Sequence, residues 1–291
     1  MKSGIDPVFR IFVTRFSTQL PTFGVQSPIQ SAPPWSAIFD SSLDCSGSLC
    51  RSSLALRKAG AYSSLQYLAP TKGFSPCFHG GSEKGESYKK WISAFAHGIG
   101  DRRAAVVIEP DGLGLLKKCL SPEDQKERIE LYRFAVHEFA SLGNTAVYID
   151  AGHSGWLPAT EIAARLKEAG IEEADGFSLN VSNYKATETE IKYGKEISKR
   201  VGGKHFVIDT SRNGNGPPVK ECKNADSEAC WCNPPGRALG SPPTTETADK
   251  LVDAYLWLKK PAESDGQCNG GPKAGMYWQD RALELARNAK Y

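Results

Sequence analysis

The stretch that decides the fold is TAVYIDAGHSGW, residues 145–156. Its first five residues are apolar, aromatic or β-branched and predict a short buried strand, which leads through Asp150 into a glycine-containing loop. The helix before it is predicted by an N-cap at Ser121, by Pro122 at the first helical position and by Gly143 as its end. A helix that leads into such a strand is typical of a parallel α/β sheet.

The same alternation of helix and strand continues on both sides of this stretch. Tyr88, Trp91, Ile92, Phe95 and Ala96 lie on one helical face, which ends before Gly98. Further strands are predicted at 104–108, 177–179 and 205–208, further helices at 162–169, 188–199 and 276–289, and one helix and one strand within 247–258. The pattern therefore predicts an α/β fold with parallel strands.

Residues 1–75 have a different texture. The region is rich in Ser, Pro and Gly and shows no sustained period, so we predict that it is loop-rich or irregular and that residues 76–291 form the main domain. Its apolar stretch at residues 8–16 is interrupted by Arg10 and Arg15, and we therefore expect no clear secretion signal in it.

The composition excludes two classes of partner. The 291 residues include 36 Lys and Arg against 33 Asp and Glu, which gives a net charge of +3, and the basic residues are interleaved with acidic ones. The sequence thus lacks the massed positive charge of a nucleic-acid binder. Because no window approaches the ~18–20 apolar residues of a membrane span, we also expect no membrane partner.

The eight cysteines indicate disulfides. Cys230 and Cys232 are one residue apart, and Cys45 and Cys50 have no second pair at ligand spacing, so no common zinc pattern is present. Disulfides are favoured over buried free thiols, and they predict export to an oxidising compartment. No metal site is predicted.

Polar side chains follow the carboxyl ends of five predicted strands, where parallel sheets place their working residues. They are Glu109 and Asp111, Asp150 and His153, Asn180 and Asn183, residues 209–213, and then Lys259, Glu263 and Asp265. Each alone could be a helix cap or a loop residue.

No G-x-G-x-x-G, P-loop or G-x-S-x-G motif is present, which argues against a nucleotide cradle and a serine hydrolase. Carboxylates combined with Trp156 and Trp231 in polar loops suit a carbohydrate substrate.

These segments resemble the motifs of a known family. VIEPD at 107–111, YIDAGHSGWL at 148–157, NVSNY at 180–184, FVIDTSRNG at 206–214, WCNP at 231–234 and WLK to DG at 257–266 stand in the order found in family 6 glycoside hydrolases, the inverting cellulases. The resemblance covers residues 77–291. It implies a distorted parallel β/α barrel and hydrolysis of β-1,4-glucan with inversion, by a secreted, extracellular monomer that needs no cofactor.

The resemblance also assigns roles to individual residues. It implies three catalytic carboxyl groups: Asp111 as general acid, Asp265 as the second carboxylate that activates water directly or through a water chain, and Asp150 in the same hydrogen-bond network. Six further residues would bind substrate, namely His153, Trp156, Asn180, Trp231, Lys259 and Glu263. For Trp231 the alternative is a loop anchor beside a disulfide.

Two disulfides follow from the resemblance, Cys77 with Cys119 and Cys232 with Cys268. Pairs of Cys222 with Cys230 and of Cys45 with Cys50 would have no counterpart in the family.

The sequence departs from the family before its first matching cysteine. Family members have an aspartate there, together with two earlier strands and helices, whereas this chain has Pro76 and no convincing match in residues 1–74. The barrel is thus incomplete unless residues 1–75 replace those strands. The alternative function is therefore a catalytically impaired glucan-binding protein. A metal-dependent hydrolase is disfavoured because only His153 stands at the rim as a ligand.

The segment after Asp265 indicates the mode of cleavage. Chain-end cutters of the family roof the site with a long loop there, whereas only residues 266–274 separate Asp265 from the predicted closing helix. We therefore expect an open cleft and endo action on internal bonds, with an exo-acting cellobiohydrolase disfavoured.

Overall fold

The computed structural model describes residues 10–15, 63–67, 85–218 and 228–290. Pro76, Cys45, Cys50, Cys77 and Cys222 lie outside these residues, and so does the side chain of Cys119. Expectations that concern them therefore stay predictions.

Seven parallel strands form one sheet in the described residues. They are β1 (Arg10–Arg15), β2 (Ser63–Tyr67), β3 (Ala104–Ile108), β4 (Thr145–Asp150), β5 (Gly176–Leu179), β6 (His205–Asp209) and β7 (Val252–Leu256). Their order across the sheet is β2-β1-β3-β4-β5-β6-β7. Strands β3 to β7 curl into a half-barrel of the predicted α/β type, so their carboxyl ends share one rim.

The helices connect these strands. They are α1 (Gly85–Ile99), α2 (Gly112–Cys119), α3 (Pro122–Ala140), α4 (Ala159–Glu168), α5 (Thr187–Ser198), α6 (Glu228–Trp231) and α7 (Gln279–Arg287), with a short 3₁₀ helix at Cys268–Gly270. The predicted N-cap of α3 is confirmed, because the Ser121 hydroxyl accepts a hydrogen bond from the Asp124 amide at 3.1 Å. None of the helices in the described part of the chain has the length and apolar character of a membrane span.

The core lies on both faces of the sheet. In β3, Val106 and Ile108 pack in the larger cluster with the helices, whereas Ala105 and Val107 belong to a smaller cluster on the opposite face. Because both faces are covered, every residue of β3 is buried. This explains why the strand is a continuous apolar run without alternation.

Two strands of the N-terminal region extend the sheet. β1 pairs in parallel with β3, from Arg10 opposite Ala104 to Thr14 opposite Ile108, and β2 pairs with β1. The edge of β3 is therefore paired, although the sequence pattern indicates no strand at residues 10–15 or 63–67. Whether residues 1–75 form a region separate from a domain at 76–291 stays a prediction.

Near the C-terminus one helix prediction is wrong, and another is confirmed with shorter bounds. The predicted helix within 247–258 is absent, because the Thr247 hydroxyl hydrogen-bonds the carbonyl groups of Asp249 and Val252 and holds the chain in a turn before β7. The closing helix begins at Gln279 instead of residue 276. Before it, the Trp278 amide donates to the Ala262 carbonyl at 2.8 Å, so this segment pairs as extended chain.

Candidate active site

Asp150 organises the centre of the rim. It ends β4, and its Oδ2 accepts hydrogen bonds from the amides of Asp111 at 2.9 Å and Gly152 at 3.0 Å. Its Oδ1 accepts one from the Ser178 hydroxyl at 2.9 Å. One buried carboxyl group thus ties the ends of β3, β4 and β5 together.

Burial controls the protonation of this group. Asp150 is 1% exposed, and burial followed by the charge of Asp111 raises its pKa to about 7, although the three hydrogen bonds favour the ionised form. Asp150 is therefore mostly protonated in mildly acidic solution. Asp150 thus retains a proton at a pH where ordinary carboxyl groups have lost theirs.

The free energy of unfolding should depend on pH through the titration of Asp150. Between pH 4 and 7 the folded chain keeps a proton on Asp150 that the unfolded chain has lost, so this group lowers the free energy of unfolding as the pH rises, by about 1.4 kcal/mol per pH unit. We expect Asp150→Asn to flatten this fall. Urea unfolding at several pH values measures it, and an unchanged slope would contradict the assignment.

The backbone of Asp111 is held in an unusual conformation. Glu109 has a φ of 50° and Asp111 a φ of 68°, both in the left-handed region that side chains seldom adopt. The Tyr88 hydroxyl donates to Glu109 Oε1 at 3.0 Å, and the Tyr132 hydroxyl donates to the Glu109 carbonyl at 3.3 Å. Helices α1 and α3 therefore fix the turn that presents Asp111 at the rim.

Asp265 lies in a cage of donors. Its Oδ2 accepts hydrogen bonds from Arg212 at 2.8 Å, the Asn233 amide at 3.1 Å and the Tyr184 hydroxyl at 3.2 Å, and its Oδ1 is 3.5 Å from Lys259 Nζ. Burial alone would raise the pKa of Asp265, but the charges of Arg212 and Lys259 hold it below the usual value. Asp265 is therefore a stable anion and a weak base.

A disulfide braces this cage. Cys232 is bonded to Cys268 across a sequence separation of 36, which confirms the pairing expected from the resemblance. Asn233, next to Cys232, accepts the Asp265 amide on its Oδ1 at 3.0 Å and donates to the Gly266 carbonyl at 2.8 Å. Cys230 is also disulfide-bonded.

His153 and Trp156 lie in the loop after β4. Their ring centroids are 5.6 Å apart, and Trp156 packs over Gly114, where an added Cβ would come within 2.7 Å of the indole. Burial and then the charge of Lys185 lower the pKa of His153 to about 3. Because its Nδ1 accepts the Gly155 amide at 3.2 Å, we assign the proton of the neutral ring to Nε2, which is therefore a donor.

The other predicted binding residues differ in their contacts within the protein. Asn180 donates to the Asp209 carbonyl at 2.9 Å and accepts the Lys185 amide at 3.0 Å, so its amide supports the backbone of the rim. Lys259 Nζ donates to Glu263 Oε1 at 3.0 Å beside Asp265. Trp231 is 43% exposed, as a surface for stacking requires. Their contacts with substrate stay predictions.

Sequence reasoning placed residues 209–213 at the rim but assigned no site role to Arg212, Tyr184 or Asn233. Each stands inside a quoted motif, but their convergence on Asp265 depends on contacts over 32 to 81 residues of sequence. Within the described ranges, the site included, no group of three or more His, Cys, Asp or Glu residues could hold a metal ion.

Buried carboxyl groups and an exposed indole at the rim of a parallel half-barrel are the features expected of a glycoside hydrolase. Comparison with known sequences gives the family. Residues 70–289 match the profile described as "Glycosyl hydrolases family 6", and the chain belongs to that family.

Two curated relatives are bacterial endoglucanases. The chain is 45% identical over 212 residues to Endoglucanase A of Cellulomonas fimi, a match that covers 73% of this chain and 44% of that protein. It is 43% identical over 227 residues to Endoglucanase A of Thermobispora bispora, which covers 77% and 47%. The chain thus spans about half the length of these relatives.

A solved structure supports the same placement. The endoglucanase from Mycobacterium tuberculosis, in complex with methyl-cellobiosyl-4-deoxy-4-thio-β-D-cellobioside, is 46% identical, with a TM-score of 0.71 over 82% of this chain and 80% of that one.

Proposed function

We propose that this protein hydrolyses internal β-1,4-glucosidic bonds of cellulose with inversion of configuration, with Asp111 as general acid and without a metal or cofactor. The observation that carries the proposal is the contact of Asp111 with the buried Asp150, whose carboxyl group accepts the Asp111 amide at 2.9 Å and itself keeps a proton in mildly acidic solution. The endoglucanases among its relatives support the substrate class.

The acid step needs a proton at the glycosidic oxygen. Asp111 transfers its proton to that oxygen as the bond from the anomeric carbon to the oxygen breaks, and the leaving chain departs as an alcohol. Asp150 holds the Asp111 backbone amide at 2.9 Å and so keeps the acid in position. Its buried carboxyl group remains near the reaction as a second proton-holding group.

In the same displacement, water attacks the anomeric carbon from the opposite face of the sugar as the leaving oxygen departs. One proton of the attacking water must leave, and Asp265 is the carboxylate that we assign to receive it. Arg212 and Lys259 stabilise Asp265 as an anion and so make it a weak base. We therefore assign the proton transfer to a water chain between the attacking water and Asp265. Room for that water requires the carboxyl groups of Asp111 and Asp265 to stand about 6.5–9.5 Å apart.

Product analysis tests the reaction and its stereochemistry. We expect purified protein to release reducing sugar from soluble cellulose, and proton NMR of early products to show the α-anomer first. Glucan binding without release would favour the alternative of an impaired glucan-binding protein, for which Pro76 in place of the family's aspartate is the supporting observation. Early β-anomer would contradict inversion.

Endo action is the next expectation. Residues 266–275 link Asp265 to an extended segment that returns beside Glu263, where the Gly275 amide bonds the Ser264 carbonyl at 2.9 Å. This loop is short and its end hydrogen-bonds back to its beginning, which supports an open cleft. Viscosity of carboxymethyl cellulose should fall early relative to reducing ends released. Nearly pure cellobiose with little change in viscosity would contradict endo action.

We further propose that the protein is secreted and acts as a monomer. The disulfide between Cys232 and Cys268 supports an oxidising compartment.

A further inference from the structure

The loop after β4 is held by a carboxylate from another helix. Glu190, on the first turn of α5, is fully buried, and its Oε1 and Oε2 accept the Ser154 amide at 3.0 and 3.3 Å. Its Oε1 also accepts the Ser154 hydroxyl at 2.5 Å. Both donors of Ser154 therefore point at one carboxyl group that the mechanism above does not use.

Helix α5 hydrogen-bonds the same loop at a second point. One turn after Glu190, the Tyr193 hydroxyl donates to the Leu157 carbonyl at 2.7 Å. Between these two anchors stand Gly155 and Trp156, and His153 comes directly before Ser154. The segment 154–157, which carries Trp156 and directly follows His153, is thus fastened at each end to α5.

A positive charge closes the other side of the loop. A Cβ added to Gly155 would come within 2.7 Å of Lys185 Nζ, so this ammonium group lies directly against the loop backbone. Burial raises the pKa of Glu190 to about 7, whereas the Ser154 hydrogen bonds and the charge of Lys185 oppose this rise. The N-terminal position of Glu190 on α5 also favours the ionised form, which can accept all three Ser154 contacts.

We propose that Glu190 is a positioning residue for glucan binding, which fixes Ser154 and thereby the orientation of His153 and Trp156. The substrate class in this inference rests on the proposed function. Glu190 itself does not touch the sugar, so its removal should weaken binding more than it slows turnover. This separates it from Asp111, whose loss should affect turnover.

The experiment compares Glu190→Gln and Ser154→Ala with Glu188→Gln, an exposed carboxylate on the same turn of α5. In Glu190→Gln we expect KM on soluble cellulose to rise about tenfold with kcat changed less than about twofold, because misplaced binding groups lose ground-state contacts. Glu188→Gln should match the wild type. The double variant should be no worse than the poorer single variant, since the hydroxyl contact that Ser154→Ala removes is one of those that Glu190→Gln weakens.

Binding is measured separately by calorimetry of cellotetraose in an Asp111→Asn background, which removes turnover. We expect the Kd to rise about tenfold with Glu190→Gln. Unchanged KM and Kd in folded Glu190→Gln would overturn the inference. If that variant does not fold, Glu190→Asp, whose shorter side chain withdraws the carboxyl group from the Ser154 amide and hydroxyl, decides the same question by the same two values. A wild-type protein that binds cellotetraose but releases no sugar overturns the proposed function only, whereas one that does neither overturns both.

Discussion

Replacing Asp111 by asparagine should lower turnover of soluble cellulose about 10³- to 10⁴-fold, the upper part of the range for loss of general acid–base catalysis. The amide has nearly the shape of the carboxyl group but has no acidic proton to give to the departing glucan. The backbone amide of Asp111 can still donate to Asp150 at the observed 2.9 Å. Affinity for cellotetraose should therefore stay within about threefold of the wild type.

A substrate with a good leaving group provides the control for this experiment. Departure of fluoride from β-cellobiosyl fluoride needs little help from an acid, so Asp111→Asn should retain most of its rate on that substrate. The matched variant Asp101→Asn, which changes an exposed aspartate at the other end of β3, should leave both rates unchanged. A wild-type rate of Asp111→Asn on cellulose would end the assignment of Asp111 as the acid.

The inner strands of the sheet could be predicted from the sequence because of where they lie. β3 matches its predicted range, and β4, β5 and β6 each extend it by a single residue. β3, β4 and β6 are covered by apolar clusters on both faces, so each contains a continuous apolar run that a polar residue follows. The rim followed directly, since parallel strands bring their carboxyl ends together.

Other elements left no comparable signal. β1 has an arginine at each end, and its place beside β3 depends on pairing between residues about 94 positions apart. The turn at Thr247 depends on side-chain hydrogen bonds that compete with a helix. The spacing of hydrophobic residues gives no information about such bonds. For Arg212 the missing information was its partner, since Asp265 lies 53 residues further on. Local patterns therefore locate the rim but do not show which groups on it are paired.

Replacing Arg212 by methionine should destabilise the protein by about 3–5 kcal/mol, the cost of removing one partner of a buried ion pair. The Arg212 side chain is fully buried, donates to Asp265 at 2.8 Å and to the Ser182 carbonyl, and stacks 4.6 Å from the Tyr184 ring centroid. Methionine preserves much of the volume and the contact with the ring. The expected loss therefore reports mainly the charge left on Asp265.

The charge interpretation predicts a specific rescue. In Arg212→Met the pKa of Asp265 should rise, because burial remains while the first of the two charges that lower this pKa is gone. Asp265→Asn removes the uncompensated charge, so the double variant should recover at least about 1 kcal/mol of the loss. Urea unfolding at pH 7 measures all four proteins of the cycle. If the two losses simply add, Arg212 stabilises the rim through packing, and the anionic state of Asp265 does not depend on it.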